Sequence, residues 1–527
     1  MNVADFENSP DLTKLMTIDP TGLSDDDAMT LAALLVDLSA EAASAGGLER
    51  AEAVLTCLEA RGLEPAHRAR WHYFTANLWS IRRHQSPTHR TWTWLSNEID
   101  QELLALRRAV ASEGFEGLGL IQRAQALTNL GTILNHIGRF VEAIEAWDRA
   151  LALVPNMAMA NGNRGIGLSH YAASLHDAGH NYVLAGAAHE AFRRAIDPDA
   201  IIDSVGLEPA LSYFAKQAKA LDAYLTANPV EVDLHGHSLG RGRREREYRR
   251  WCLTRRLFIN PLNDAGTFEI AARDVMMLPS ITVVGLDGGP GPPPVIAYFN
   301  LIKQEYAAAR FACWEGVTAS GVHFADRGVQ VYNTLDYPAV GFAVERLKMA
   351  FRGAYSIFDK VAFCLNSYLG LGHPERQVSF RNLWFVKGRG KTLHPNLDGL
   401  ANWPLRGLFW LSKDVFENDF KDVTEPDAQA IYELRNHLEH KFVSVHDMFL
   451  RAVSISPSPE TAPGIFDLSF EDLAARTSRQ LKLARAAIMY LTLAIHAEER
   501  RREAERPPGA SFPMSLDTWD DAWKRRD

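Results

Sequence analysis

The chain has 527 residues and a mass of 58.7 kDa, which favours two or three domains over one. A composition of 47% hydrophobic and 23% charged residues excludes disordered, collagenous and disulfide-stapled classes of protein. The balance of 56 Lys and Arg against 65 Asp and Glu gives a net charge of −9, which disfavours a protein that coats nucleic acid with its whole surface. A local basic site remains compatible with this charge.

The chain has four scattered cysteines and no Cys-x-x-Cys pair: Cys57, Cys252, Cys313 and Cys364. Neither a disulfide framework nor a cysteine zinc site is therefore expected, and a reducing compartment fits best. The beginning of the chain is acidic, with the run Asp25-Asp-Asp, so no secretory leader is expected. No apolar stretch reaches the roughly 20 residues that span a bilayer. We expect a cytoplasmic protein with no membrane partner.

Residues 124–155 resemble a tetratricopeptide repeat. Gly131 stands where the first helix of such a repeat meets its neighbour, and Trp147 stands where the second helix packs back. Small residues let two helices approach each other and large residues fill the gap, so the pattern has a physical basis. Pro155 ends the unit because proline cannot continue a helix.

Weaker copies of this unit cover residues 49–65, residues 70–83 with 95–112, and residues 161–168 with 189–195. A helical array needs about three units to bury a continuous core, so we predict a solenoid of tetratricopeptide-like repeats over residues 1–228. The resemblance implies a concave surface that binds a protein or peptide partner. The alternative is a helical scaffold without a ligand.

Residues 229–294 form a loop-rich connector in which the helical period fades. Its segment 239–256 is the most basic stretch of the chain, with eight arginines against two glutamates. An arginine fork binds phosphate with two hydrogen bonds, which makes Arg241, Arg243 and Arg244 candidates for RNA binding. The alternative is a solvated helix face that pairs with acidic residues of the repeats.

Short motifs in and after the connector favour turns and strands. His235 and His237 lack a third ligand at a recognisable spacing, so a turn is expected there and no metal site. Residues 281–286 read as a strand, and the glycine-rich loop at 287–294 lacks the lysine of a phosphate-binding loop. Residues 322–332 alternate about an Asp-Arg-Gly turn, which predicts a β-hairpin.

Five helical patterns follow, at residues 295–312, 340–369, 403–418, 427–453 and about 470–503. The fourth carries one apolar stripe at steps of three and four: Ile431, Leu434, Leu438, Phe442 and Val445. We therefore predict a helical bundle over residues 295–505 and a C-terminal tail at 506–527. The predicted fold class is mainly α, a repeat solenoid followed by a bundle with a small β-hairpin insertion.

Within the fourth pattern stands the sequence Arg435-Asn-His-Leu-Glu-His440. Its arginine, the polar residue after it and its second histidine resemble the motif of the HEPN superfamily. Residues 260–263 and 347–360, downstream of tetratricopeptide-like repeats, look like the LA2681-like branch of that superfamily. The spacing of the motif also occurs elsewhere, as at Arg164 and His170, but only Arg435 is followed by an asparagine on a long bundle helix.

The resemblance implies a HEPN-type bundle and a metal-independent endoribonuclease that acts as a homodimer, without a cofactor. Such cleavage needs a base for the 2′-hydroxyl proton, an acid for the 5′-oxygen and a cation for the charge on phosphorus. His440 exchanges protons near neutral pH and Arg435 stays charged. We expect Asn436 to orient the phosphate or ribose and Glu439 to hold an imidazole tautomer. Lys441 is a further RNA-binding candidate.

One histidine does not easily serve as both acid and base at one phosphate, so pairing with the His440 of a second copy is expected. His437 and His446 are the alternatives for the second proton carrier. We predict a ribonuclease of toxin or phage-defence type that is regulated through its repeats. The alternatives are a non-catalytic adaptor that dimerises and binds a nucleotide or protein, and, ranked last, a nucleotidyl transferase.

Overall fold

The computed structural model describes residues 11–87, 92–202, 206–283, 292–333, 338–388, 390–416, 427–446, 465–506, 514–519 and 521–524. Over these ranges the chain is mainly α-helical, as the sequence predicts, and the only strands there are two that pair in parallel. None of the helices in these ranges combines the length and the apolar character of a membrane span.

Ten helices lie within residues 12–227: α1 (Leu12–Leu15), α2 (Asp25–Glu41), α3 (Ala45–Glu59), α4 (Pro65–Gln85), α5 (Asn97–Ala111), α6 (Leu120–His136), α7 (Phe140–Leu153), α8 (Ala158–Ser174), α9 (Ala178–Ala195) and α10 (Glu208–Ala227). Sequence neighbours pack as pairs, α2 on α3, α4 on α5, α6 on α7 and α8 on α9. This arrangement is consistent with repeat-like helices. Their assignment to tetratricopeptide repeats, and a solenoid, stay predictions.

Trp147 in α7 holds α6 and α8 close together. Its side chain is 1% exposed, and its Nε1 donates a hydrogen bond to the carbonyl oxygen of Thr128 at 3.1 Å. A Cβ added at Gly131 in α6 would lie 2.6 Å from the indole, and one added at Gly167 in α8 would lie 2.3 Å from it. Only glycine leaves room for the tryptophan at these two positions.

The remaining helices are α11 (Arg243–Thr254), α12 (Leu262–Ala265), α13 (Pro294–Thr318), α14 (Phe342–Tyr368), α15 (Trp403–Phe416), α16 (Asp427–His440) and α17 (Phe470–Glu505), and strands β1 (Phe442–His446) and β2 (Ile465–Ser469) lie between α16 and α17. Helix α17 is central, because it packs against α13, α14, α15 and both strands. Its residues 486–491 are at most 1% exposed. Five helices thus form the predicted bundle.

The predicted β-hairpin at residues 322–332 is wrong. The segment contains one turn of 3₁₀-helix, Phe324–Asp326, and no strand. The Asp326 carboxylate does not close a hairpin turn, since both its oxygens accept a hydrogen bond from the Phe342 amide, at 3.0 Å, where α14 begins. A strand was also predicted at residues 281–286. Residues 281–283 form no strand, and residues 284–286 lie outside the described residues.

The helix predicted over residues 427–453 is also wrong in its second half. Helix α16 ends at His440, and residues 442–446 form β1, which pairs in parallel with β2 in the register Phe442 with Ile465 and His446 with Ser469. The β-branched Val443 and Val445 alternate at the strand period, although Val445 also extends the helical stripe, and pairing with β2 favours the strand. The rest of the predicted helix lies outside the described residues.

The N-terminal helices and the bundle share one hydrophobic core. Phe140 of α7 stacks on Trp403 of α15 with ring centroids 4.6 Å apart, and Trp403 Nε1 donates to the Asn135 carbonyl oxygen at 2.8 Å. Gly138, which has a φ of +87°, and Gly407 of α15 bring the two backbones into direct contact. The domain boundaries after residues 228, 294 and 505 stay predictions.

Candidate functional site

The C-terminal half of α16 carries the polar motif because its apolar residues face the bundle. Leu434 is 0% exposed and Leu438 is 6% exposed, and these two side chains are one turn apart. Arg435, Asn436 and His437 are half-buried, whereas Glu439 and His440 are exposed, as is Lys441 just beyond the helix. The motif therefore spans the border between the bundle core and solvent.

Arg435 and Asn436 are brought into contact, and the arginine also meets α14. Arg435 Nη1 donates a hydrogen bond to Asn436 Oδ1 at 3.1 Å, and the guanidinium carbon lies 5.5 Å from the ring centroid of Tyr355. Arg435 Nε is buried without a hydrogen-bond partner in the described chain. The arginine is thus held by an aromatic ring and an amide, and no carboxylate of the described residues neutralises it.

His440 lies four residues after Asn436, so the two side chains share one helix face. The imidazole is exposed and makes no hydrogen bond with any residue that the structure describes. Glu439 also makes no side-chain hydrogen bond with any described residue, so it does not contact His440 in the way that holding the imidazole tautomer would require. His440 is available to an external ligand.

The two alternative histidines lie elsewhere. The His437 ring is 5.2 Å from the ring of Phe466 in β2, so it faces the strand pair. His446 is 8% exposed, and its Nε2 lies 3.0 Å from Ser444 Oγ and 3.3 Å from Asp467 Oδ1. Both alternative histidines thus contact residues of the strand pair.

One face of α14 supports the end of α16, and sequence reasoning missed its role. Lys348 Nζ donates to the Val443 carbonyl oxygen at 3.2 Å, and Arg352 Nη2 donates to the Leu438 carbonyl oxygen. Tyr355, three residues further on, contacts Arg435. The steps of four and three put these three residues on one face of α14, a pattern that was readable in the sequence.

Further cationic groups surround the motif. Arg476 of α17 stands over the Phe466 ring, with its guanidinium carbon 5.9 Å from the ring centroid. The cations near the end of α16 are Arg352, Arg435, Lys441, Arg476 and Lys348, of which Lys348 also pairs with Glu345 at 2.8 Å. Such a cluster favours an anionic ligand such as a phosphodiester.

The other RNA-binding candidates are on a different element. Arg243 and Arg244 open α11, which packs on α13, whereas α16 packs on α14, α15 and α17. Arg243 pairs with Glu247 at 2.7 Å, Arg244 pairs with Glu315, and the backbone amide of Arg241 donates to Glu245 Oε2 at 2.9 Å. The acidic partners of this helix face therefore lie on α11 itself and on α13, whereas the alternative placed them on the repeats.

The His235 and His237 pair forms a turn in which His237 Nε2 lies 2.9 Å from the Asp233 carbonyl oxygen. Among the residues that the structure describes, no three His, Cys, Asp or Glu side chains are arranged to hold a metal ion.

Helices α13 to α16, most of α17 and the polar motif lie within residues 286–498, and this region matches the model of the LA2681-like HEPN family. Residues 286–498 are therefore assigned as an LA2681-like HEPN domain. The matched region contains the motif and both strands. Comparisons of the chain with curated proteins and with solved structures gave no match.

Proposed function

We propose that the protein is a metal-independent endoribonuclease whose active groups are Arg435, Asn436 and His440. The observation that carries the proposal is the Arg435 to Asn436 contact beside an exposed, unengaged His440 on the last turn of α16. HEPN domains often act on RNA, which makes a phosphodiester the natural ligand for this cationic site. The proposed cellular role is that of a toxin or phage-defence effector in the cytoplasm.

The chemistry is an attack of the ribose 2′-oxygen on the neighbouring phosphorus. The 2′-hydroxyl gives its proton to a base, the P–O5′ bond breaks, and the 5′-oxygen takes a proton from an acid, leaving a 2′,3′-cyclic phosphate and a 5′-hydroxyl. Arg435 binds the non-bridging oxygens, where negative charge develops. Asn436 positions the phosphate or ribose, and His440 exchanges the proton.

A second copy completes the site, because one chain offers a single exposed imidazole at the motif. The segments before α14, α14 itself and β1 carry exposed apolar residues, called the apolar rim here, whose members are between 54% and 97% exposed: Val322, Phe324, Val329, Val331, Tyr332, Val340, Met349 and Phe442. The rim is tied to β1, since the Ala339 amide donates to the Val445 carbonyl oxygen at 2.6 Å. An exposed apolar patch of this kind marks an association surface. We assign it to the homodimer.

The N-terminal helices supply regulation by binding a protein or peptide partner. Their core is continuous with that of the bundle, so a partner that binds them can bias the HEPN domain. A non-catalytic adaptor is the second candidate, and the observation in its favour is that both alternative histidines are engaged at the strand pair, His437 with the Phe466 ring and His446 with Asp467.

Cleavage of a 5′-labelled RNA in EDTA distinguishes the two candidates. We expect fragments with 2′,3′-cyclic ends from the wild type, and a loss of at least about a hundredfold in rate for Arg435→Ala and for His440→Ala. Arg194→Ala, at an exposed arginine of α9, and His237→Ala are the matched controls and should keep the wild-type rate. Fragments without cyclic ends, or equal rates in all four variants, would contradict the proposal, and inactivity of a stable dimer would favour the adaptor.

A further inference from the structure

A cavity of about 380 Å³ lies among the N-terminal helices, away from the HEPN motif. Its walls come from α2, α4, α6 and α8, together with Leu207 just before α10. Polar and apolar groups share the lining: Ala33, Val36, Asp37, Tyr73, Phe74, Asn77, Gln125, Thr128, Asn129, Met157, Met159, Asn163 and Leu207. The mixture of a carboxylate, several amides and large apolar side chains is that of a ligand site.

Asp37 is the charged group of the cavity. Burial raises the pKa of its carboxyl above the ordinary value, and the neighbouring Glu41 raises it further. The carboxylate stays open to the solvent of the cavity and has no ionic partner in the described chain. The lining residues include no Lys or Arg. An anion in this position is stabilised by an external cation, so the cavity is complementary to an ammonium or guanidinium group.

A second feature of the cavity is the hydrogen-bonded pair of amide side chains, Asn77 of α4 and Asn129 of α6. Asn129 Nδ2 donates to Asn77 Oδ1 at 3.2 Å, which leaves Asn77 Nδ2 as a donor and Asn129 Oδ1 as an acceptor without a partner among the described residues. Asn163 of α8, whose Nδ2 donates to Thr132 Oγ1 at 3.2 Å, continues the series of amides. A donor beside an acceptor matches the N–H and C=O groups of a peptide backbone.

The apolar wall of the cavity can accommodate different apolar side chains of a ligand. Met157 and Met159 stand at the beginning of α8, and Tyr73 and Phe74 stand on α4. Methionine side chains are unbranched and flexible, so they adapt to the shape of the group that they contact.

We infer that this cavity binds an extended peptide segment that carries a lysine or arginine side chain. Asp37 takes the cation, the Asn77 and Asn129 pair takes a backbone amide, and the methionines and aromatic rings take an apolar neighbour in the peptide. The amides come from α4, α6 and α8, the first helices of three neighbouring pairs, and such a row suits a linear polymer better than a compact ion. The inference rests on the partner-binding role proposed above for the N-terminal helices and is independent of the ribonuclease chemistry.

The test is fluorescence polarisation of the full-length protein with a position-scanning library of labelled, capped hexapeptides. We expect peptides with Lys or Arg at one position to bind at least about tenfold more tightly than those with Glu or norleucine there. Asp37→Asn and Asn129→Ala should each weaken that binding by about tenfold or more. Glu59→Gln, an exposed carboxylate of α3 outside the cavity, should leave it unchanged.

Three results would overturn the inference: no library member with a Kd below about 1 mM, binding unchanged in both cavity variants while thermal unfolding shows them folded, or spermidine binding as tightly as the preferred peptide. RNA cleavage by the same preparations separates the two proposals. Cleavage without peptide binding contradicts only the peptide site, and peptide binding without cleavage contradicts only the ribonuclease.

Discussion

Arg107 of α5 and Asp414 of α15 form a buried ion pair with two hydrogen bonds, Nη1 to Oδ1 at 2.6 Å and Nη2 to Oδ2 at 2.7 Å. Arg139, at the start of α7, reaches the same carboxylate. The Asp414 side chain is 1% exposed, so the N-terminal helices meet the HEPN domain through charges that are removed from water.

We predict that Asp414→Asn lowers the free energy of unfolding by about 3 to 5 kcal/mol, because the buried Arg107 loses this counter-charge and the buried Arg139 keeps only that of Glu142. Urea denaturation followed by circular dichroism measures the change. Asp398→Asn, at an exposed position, is the control and should change it by less than about 0.5 kcal/mol. Equal effects of the two substitutions would mean that the ion pair adds nothing to the association of the two regions.

The Glu145 and Lys482 pair predicts how stability depends on pH. Burial opposes ionisation of Glu145, but Lys482, at 2.6 Å, together with Arg479 and Arg256, outweighs it and lowers the pKa from 4.5 to about 2. Because folding depresses this pKa, the stabilisation is fully present above pH 4.5 and is lost as the pH falls toward 2. Glu145→Gln should therefore cost about 1 to 2 kcal/mol at pH 7, a value reduced for the exposed third of the side chain.

Urea titrations of the wild type and of Glu145→Gln at pH 7 and at about pH 3 measure this dependence. The difference between the two proteins should shrink to less than half at the lower pH. A difference that stays constant or grows there would contradict the assignment.

Gly407→Ala tests the backbone contact between α15 and the turn before α7. A Cβ at Gly407 would lie 2.2 Å from the carbonyl oxygen of Gly138, and a backbone atom cannot move aside cheaply. We expect a loss of about 1 to 3 kcal/mol. Gly186→Ala in α9 is the matched control, since nothing lies within 4 Å of its added Cβ, and it should be neutral or slightly stabilising. Similar midpoints of thermal unfolding for the two variants would argue against the contact.

Arg352→Gln tests whether α14 positions the end of α16. The guanidinium donates to the Leu438 carbonyl oxygen, so its loss frees the turn that carries His440. If the ribonuclease proposal holds, we expect kcat to fall by about tenfold to a hundredfold while KM changes little, since a small displacement of a reacting group is costly. Arg352→Lys should recover part of the rate. Arg346→Gln on the same helix is the control, and a fall in kcat of equal size there would rule out a positioning role.

Tyr332→Asp tests the apolar rim as the dimer surface. Tyr332 is 97% exposed, so the substitution leaves the fold intact and places a charge in the proposed interface. We expect the dimer Kd measured by sedimentation velocity to rise by at least about tenfold, with RNA cleavage restored at higher protein concentration. Val283→Asp, at a position that is 55% exposed outside the rim, should leave both unchanged. A dimer unaffected by Tyr332→Asp would place the interface elsewhere.

The sequence predicts most helices because their signals are local. Ser24 and Ser96 cap α2 and α5, and apolar residues at steps of three and four mark the faces that the helices bury. The end of α16 was missed because Phe442 and Val445 continue the helical stripe, so only the pairing with β2 shows that this segment is a strand. The hairpin at residues 322–332 was predicted wrongly because the partner of Asp326 is distant in the sequence. Its carboxylate accepts a hydrogen bond from the amide of Phe342, where α14 begins sixteen residues later.

In the candidate site, the sequence indicates Arg435, Asn436 and His440 because they lie within a single helix. It does not indicate Lys348 and Arg352 as supports of that helix, because their contacts depend on how two helices pack. Arg107 and Asp414 are a stronger case, since 307 positions separate them and nothing in the sequence pairs them.

The contact of Gly138 with Gly407 also limits which N-terminal helices can be combined with this bundle. A binding module joined by a flexible linker can be exchanged for another, but here the turn between two N-terminal helices touches the backbone of a bundle helix. A chimera with foreign N-terminal helices would need a glycine at the position of Gly138 and an aromatic ring to stack on Trp403. The N-terminal helices and the HEPN domain are therefore expected to be inherited together, as one unit.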